Sequence, residues 1–217
     1  MAASQAAFKV EQAVGHDAIV PDGYNYSEKV PKLRVVEPRD IVLRVTGSTI
    51  CGFDLHLLHG TIVELQKDDI MGHEFCGIVE SVGPQVKNVK PGQRVVASFQ
   101  IACEECGPCK KKQSSQLASL GTLISRAAFQ ADKAEYVRVP FGDVNLLKLP
   151  DRVPDEKGHH LSDIICTSWN AVVDTGVEKG DVVAIWGAGP IGQMAADFSL
   201  HNGAARVILI DNYWRLI

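Results

Sequence analysis

The sequence predicts a mixed fold in which a β-rich first part is followed by one α/β unit. Two observations support this prediction. Up to about residue 140, short segments rich in Val and Ile alternate with Pro and Gly turn signals, a texture typical of a barrel or sandwich. From residue 181 to 211, an apolar strand pattern, a glycine-rich turn, a helical pattern and a second apolar strand follow in order, as in a parallel crossover unit.

The first part contains β-branched segments bounded by turn residues, and each predicts a strand. These segments are Lys32–Val36, Asp40–Thr46, Gly77–Val82, Arg94–Ser98 and Glu135–Val139. Residues 110–133 show no periodicity. After Pro150 the texture changes, and residues 160–173 carry apolar side chains at mixed helical spacing. We therefore expect one domain at 1–150 and a second part, opened by a linker helix, at 151–217.

The second part predicts a β-α-β unit. Asp181–Trp186 is a buried-type strand, Ile191–Leu200 a helix with apolar residues on one face, and Val207–Ile210 a second strand. Asn202-Gly203 supplies the helix stop.

Composition narrows the class of protein. The net charge of −4 argues against nucleic acid or an anionic membrane as the main partner. The start of the chain lacks a secretory pattern, and no apolar run is long enough to span a membrane. We expect a soluble cytoplasmic protein with a small-molecule partner, in which the six cysteines serve as thiols or metal ligands before disulfides.

A glycine-rich turn, GAGPIG at 187–192, joins the predicted strand to the helix. Such a turn lets backbone approach a pyrophosphate, which the helix N-terminus then binds. An acid 19 residues past the last glycine would bind the ribose hydroxyls and favour NAD over NADP. A turn that binds no nucleotide is the alternative. The predicted cofactor contacts here are Gly187, Gly189, Pro190, Ile191, Gly192 and Asp211.

Two cysteine-containing groups suggest metal chemistry. The first is Cys51-Gly-Phe-Asp54-Leu-His56, followed by Gly72-His73-Glu74, and its thiol, imidazole and carboxylate groups suit catalytic zinc if the fold brings them together. Spacing alone does not show this, and a buried free cysteine with a core histidine is the alternative. The second, Cys103–Cys109, holds three thiols in a C-x2-C-x2-C pattern. This group is typical of a structural zinc lobe, with a redox-sensitive thiol cluster as the alternative.

With these motifs, the chain resembles the zinc-dependent medium-chain alcohol dehydrogenases, and most of all the branch that includes formaldehyde and threonine dehydrogenases. The most specific match is Gly72–Gly77 followed by Gly83 and Val86, which fits the zinc signature of the family. Further matching segments are Thr49–Gly52, Asp54–His56, Ala134–Pro140 and Gly187–Gly192. The resemblance implies a GroES-like β-barrel catalytic domain followed by the first β-α-β part of a Rossmann domain.

The resemblance also implies roles. Cys51 and His73 are implied as catalytic zinc ligands, Glu74 as a carboxylate that can approach the metal, and Asp163 as a further ligand. Thr167 is implied as a nicotinamide contact. The implied reaction is hydride transfer between NAD and an alcohol or aldehyde at a zinc-bound oxygen.

Other implied roles concern protons and the structural metal. Asp54 is implied to orient the zinc-bound histidine, and His56 to be the outer member of a proton relay. The cysteine lobe, Cys103, Cys106 and Cys109, is implied to hold structural zinc.

The sequence departs from the family pattern at several places. Phe53 replaces a hydroxyl residue of the relay, and Leu117 replaces the fourth cysteine of the lobe. The segment at 110–133 is shorter than in relatives, and the chain stops after the second Rossmann strand, which leaves an apolar edge that a second copy could cover as a homo-oligomer. The alternative function is therefore a truncated, catalytically impaired relative that binds zinc or a partner without turnover.

Overall fold

The computed structural model describes residues 32–58, 70, 72–112 and 134–212. The chain divides into two compact units, residues 1–159 and 160–217, which are described separately below. The domain boundary predicted after residue 150 remains a prediction, as does the shortening at 110–133, of which residues 113–133 lie outside the described ranges.

The first unit is built on a five-stranded antiparallel sheet with the strand order β4-β1-β2-β3-β5. The strands are β1 (Ile41–Ser48), β2 (Phe75–Val82), β3 (Arg94–Ala97), β4 (Tyr136–Val139) and β5 (Leu146–Lys148). Helix α1 (Gly52–Leu58) lies between β1 and β2 in the chain. Short helical turns occur at Gly107–Lys110, Gly142–Asn145 and Asp155–Gly158, with a 3-10 turn at His159–Leu161.

The apolar side chains of these strands form one core cluster. Its buried members are Ile41, Leu43, Phe75, Val79, Val89, Val95, Ala97, Val137 and Val139. Because successive side chains of a strand point to opposite faces, the i, i+2 pairs in β1 and β4 reach this core together. Strand β1 lies between β2 and β4, and its pairing with β2 runs from Ile41↔Val82 to Ser48↔Phe75. The four strands predicted at 40–46, 77–82, 94–98 and 135–139 are therefore confirmed.

The strand predicted at Lys32–Val36 is wrong, because this segment is irregular. The backbone N–H groups of Val36 and Glu37 donate to Oδ2 of Asp40 at 3.1 and 2.8 Å instead of to a neighbouring strand. The same carboxylate is buried and accepts from Arg138 Nη1 at 2.8 Å. The Asp40 carboxylate thus accepts the backbone N–H groups that would otherwise pair with a neighbouring strand.

The second unit contains the predicted crossover. Helix α2 (Ile164–Asp174) precedes strand β6 (Val182–Trp186), helix α3 (Pro190–His201) and strand β7 (Arg206–Ile210). The two strands pair in parallel from Val182↔Arg206 to Trp186↔Ile210, so the β-α-β prediction is confirmed. Helix α2 packs against α3 through an edge-to-face contact of Trp169 and Phe198, whose ring centroids lie 5.3 Å apart.

The two-stranded sheet exposes apolar surface within the described residues. Trp186 is 75% and Val182 is 67% exposed. Among the helices that the structure describes, none has the length and apolar character needed to cross a membrane.

Candidate metal and cofactor sites

Three metal-donor side chains meet at the end of the β1–β2 pair. The thiol of Cys51, the imidazole of His73 and the carboxylate of Glu74 place their ligand atoms within 4.8 Å of one another. His73 is 3% and Glu74 is 1% exposed. Cys51 and His73 lie 22 positions apart in the sequence and are brought into one cluster, in which Cys51 is half-buried. Spacing alone did not establish this convergence.

The β1–β2 ladder explains this convergence. The last paired residues are Ser48 and Phe75, and the pairing continues with a hydrogen bond from Thr49 N–H to the carbonyl of Glu74 at 3.3 Å. Gly72 has a φ of 114°, a left-handed conformation that favours glycine and sets the entry into β2. The backbone thus delivers His73 beside the start of α1.

Asp54 links two of the three donors. Its Oδ2 accepts a hydrogen bond from Cys51 N–H at 3.0 Å, and its Oδ1 lies 3.4 Å from Nδ1 of His73. The carboxylate is 1% exposed. A carboxylate beside one ring nitrogen is the arrangement that orients metal-binding histidines and raises their basicity.

Two aromatic rings also contact His73. The Phe53 ring lies edge-on to the imidazole, with centroids 5.4 Å apart and an interplanar angle of 81°. The Phe99 ring lies 6.2 Å from it at 59°. His73 and Phe99 line a small cavity whose remaining walls are mostly apolar: Phe75, Ala97, Ser98, Ile101 and Val139.

The donor chemistry of this cluster fits zinc. Thiolate, imidazole and carboxylate are the ligands zinc takes in proteins, and catalytic sites use three of them and keep one open position.

His56, which lies in helix α1 together with Asp54, is exposed.

Two further predicted residues lie in the second unit. Asp163 occupies the N-cap position of α2, and Thr167 Oγ1, one turn later, donates to the Asp163 carboxylate. Burial, together with the charge of Asp163, raises the pKa of the neighbouring Cys166 thiol.

The three thiols of the second cysteine group also come together, with their sulfur atoms within 4.8 Å. Backbone N–H groups form a closed ring around them. The N–H of Cys106 donates to Sγ of Cys103 at 3.4 Å, that of Cys109 to Cys106 at 3.5 Å, and that of Cys103 to Cys109 at 3.4 Å. Each sulfur therefore accepts one backbone hydrogen bond from within the cluster.

Electrostatics of this cluster favour thiolate formation at one member. Burial tends to raise the pKa of Cys103, but hydrogen bonds from the backbone of Glu105 and Cys106 and from the other two thiols outweigh it and lower that pKa. Three thiolates fit zinc or another soft ion. Glu105 forms an ion pair with Arg39, and Leu117 lies outside the described residues.

The glycine-rich turn has the geometry of a phosphate-binding loop. Gly187 adopts a φ of 100°, and a Cβ added at Gly192 would lie 1.8 Å from the Gly187 carbonyl oxygen. Gly189 is the N-cap of α3, and nothing lies within 4 Å of a Cβ added there. Asp211, at the end of β7, accepts a hydrogen bond from Ala188 N–H at 2.5 Å.

These features suit a dinucleotide. Gly192 allows close packing of turn and helix, whereas Gly189 leaves open space at the helix N-terminus, where a pyrophosphate binds. Pro190 and Ile191 open the helix, and Asp211 lies beside the turn. The strand, the glycine-rich turn and the helix are therefore the elements that a dinucleotide-binding unit uses.

Comparison with known proteins shows which family the chain resembles in sequence. The model of the alcohol dehydrogenase GroES-like domain matches residues 37–151. A zinc-type alcohol dehydrogenase-like protein of Schizosaccharomyces pombe is 39% identical over 202 residues, covering 84% of this chain and 48% of that protein. A glutathione-independent formaldehyde dehydrogenase of Pseudomonas aeruginosa is 36% identical, covering 83% of this chain and 49% of that protein.

A solved structure agrees with these relatives. An alcohol dehydrogenase from Thermus sp. ATN1 superposes with a TM-score of 0.79 at 36% identity, covering 87% of this chain and 55% of that one. The chain spans about half the length of the relatives it matches. With the GroES-like match over residues 37–151 and relatives of this identity over most of its length, the chain belongs to the zinc-type alcohol dehydrogenase family.

Proposed function

We propose that this chain carries the metal site and part of the cofactor site of a zinc-dependent, NAD-linked oxidoreductase that acts on an alcohol or aldehyde. The observation that supports this most is the convergence of ligand atoms of Cys51, His73 and Glu74 within 4.8 Å, with the His73 and Glu74 side chains buried. Zinc bound there would act as a Lewis acid toward the oxygen of the substrate, and NAD would exchange the hydride.

The residues around the metal have distinct proposed roles. Cys51 and His73 hold the ion, Glu74 approaches it, and Asp163 is the further ligand implied by the resemblance. Asp54 holds Nδ1 of His73 and thereby fixes the ring orientation.

Proton movement differs from that of a hydroxyl relay. Phe53 neither donates nor accepts a proton at the position next to Asp54. His56, the proposed outer relay member, is exposed to solvent. Water therefore takes the place of the missing hydroxyl between substrate and His56 in this proposal.

The cofactor roles follow from the turn. Gly187, Gly189, Pro190, Ile191 and Gly192 offer backbone to the pyrophosphate, while Thr167 contacts the nicotinamide. The Asp211 carboxylate accepts the ribose hydroxyls and repels a 2′-phosphate, which favours NAD.

The substrate class comes from the relatives. The matched proteins are named alcohol and formaldehyde dehydrogenases, and the cavity beside His73 is mostly apolar. We propose a small primary alcohol or its aldehyde. The second metal group, Cys103, Cys106 and Cys109, is proposed to hold a structural ion; homo-oligomer formation and a cytoplasmic location remain predictions.

Purified chain loaded with zinc tests this function. We expect NADH formation from small primary alcohols, loss of it in Cys51→Ser, and its retention in Cys76→Ser, a control in which a buried thiol outside the cluster is replaced. Zinc binding without turnover in the wild type would instead favour the catalytically impaired relative. No zinc binding at all would contradict both.

A further inference from the structure

Phe53 touches both cysteine and histidine of the proposed metal site. Its backbone N–H donates to Sγ of Cys51 at 3.5 Å, and its ring lies edge-on against His73 with centroids 5.4 Å apart. The next residue, Asp54, faces Nδ1 of the same imidazole at 3.4 Å. Two consecutive residues of α1 thus contact the imidazole, one through a charge and one through an aromatic ring.

We infer that Phe53 is a positioning residue of the metal centre, which fixes the ring plane of His73. This inference rests on the proposed function, since it assumes a metal at Cys51 and His73. An edge-to-face aromatic contact restricts rotation of the partner ring.

The contact with Cys51 comes from the backbone N–H of Phe53 and the contact with His73 from its ring, so a side-chain substitution can remove the second and keep the first. Replacement by Ala removes the ring, and with it the His73 contact, but keeps the backbone N–H that donates to Sγ of Cys51. Aromatic pairs of this geometry correspond to about two- to tenfold in an equilibrium constant. We therefore expect Phe53→Ala to weaken metal binding by roughly that factor and Phe53→Tyr, which keeps the ring, to restore it.

Cadmium-loaded protein provides the readout. The cadmium resonance in NMR reports the number of sulfur ligands, so the one-thiolate group at Cys51 and the three-thiolate group at Cys103–Cys109 resolve from one another. Competition with a chelator gives the affinity of each. Phe53→Ala should shift or broaden only the one-thiolate resonance and weaken only that site, and Phe53→Tyr should recover both properties.

A matched control separates positioning from general destabilisation. Phe198 forms the same edge-to-face contact with Trp169, at 5.3 Å and 84°, in the second unit. Phe198→Ala should lower the melting temperature while leaving the one-thiolate resonance unchanged. If Phe53→Ala matches Phe198→Ala in resonance and affinity, the inference is wrong. If the wild type shows no one-thiolate resonance, the proposed function itself fails and this inference with it.

Discussion

The buried carboxylate of Asp54 lies 3.4 Å from Nδ1 of His73 while its second oxygen accepts the N–H of Cys51 at 3.0 Å. One side chain therefore fixes both a sulfur donor and a nitrogen donor of the proposed zinc site. Because outer partners of this kind orient metal ligands, removing the Asp54 charge should lower the affinity of the site for zinc.

Replacement of Asp54 by Asn keeps the shape and removes the charge. We expect zinc affinity to fall about 10- to 100-fold, measured by competition with a chelator. Glu156→Gln, which removes an exposed carboxylate, serves as the control. Equal affinity in Asp54→Asn and Glu156→Gln would exclude the positioning role of Asp54.

Substitution by Ala should have different effects at Gly192 and at Gly189 of the glycine-rich turn. A Cβ at Gly192 would lie 1.8 Å from the Gly187 carbonyl oxygen, so Gly192→Ala should destabilise the second unit by about 1–3 kcal/mol. A Cβ at Gly189 meets nothing within 4 Å, so Gly189→Ala should leave the melting temperature unchanged but weaken NADH binding where the pyrophosphate approaches. Thermal melts and NADH fluorescence titration measure the two effects. Unchanged NADH affinity in Gly189→Ala would contradict the cofactor role.

The three-thiol group predicts an open coordination position. The chain has six cysteines, and the other three lie elsewhere: Cys51 with His73, Cys76 beside Thr46, and Cys166 donating to the Leu161 carbonyl. Zinc is almost always four-coordinate in structural sites, so three thiolates leave one position to fill. An added small monothiol should therefore shift the three-thiolate cadmium resonance in the wild type. No shift at saturating thiol would mean that a fourth ligand from the chain closes the site.

Cys76 predicts a pH effect on stability. Burial raises the pKa of its thiol to about 11, with a smaller contribution from Asp155. The native state then keeps the proton between pH 9 and 11 while the unfolded chain loses it, so stability falls as pH rises through this window. Chemical denaturation at pH 8 and pH 10.5 should show a smaller loss in Cys76→Ala than in the wild type. An equal loss in both would contradict the raised pKa.

Burial of the Cys76 thiol also predicts that it reacts slowly with alkylating reagents. At pH 8 the Cys76 thiolate is scarce, whereas Cys103, whose pKa is lowered, should react sooner with iodoacetamide. Peptide mass mapping after timed alkylation of metal-free protein measures the order. Faster labelling of Cys76 than of Cys103 would be the contrary result.

Local patterns predicted local structure well. The β-α-β unit follows from period and turn chemistry within 31 residues of chain, and strands β1 to β4 follow from their β-branched runs. The strand expected at Lys32–Val36 failed because the Asp40 carboxylate, rather than a strand, takes its backbone donors. Strand β5 has only three residues and gave no pattern signal.

The Cys51–His73–Glu74 cluster could not be predicted from the local residue pattern. Cys51 and His73 are brought together by the β1–β2 register, a long-range relationship that spacing does not encode, and only the family resemblance indicated it. The contact of Phe53 with His73 was missed for the same reason, although the unusual Phe beside Asp54 was a signal. The cysteine lobe needed no long-range information, since its three thiols fall within seven residues.

The number of zinc ions bound per chain shows whether the Cys51–His73–Glu74 cluster is a zinc site. Native mass spectrometry of zinc-reconstituted wild type and of His73→Gln gives the number of bound ions per chain. The proposed function predicts that His73→Gln loses one zinc ion and keeps any ion held by Cys103, Cys106 and Cys109. The same zinc count in both proteins would contradict it.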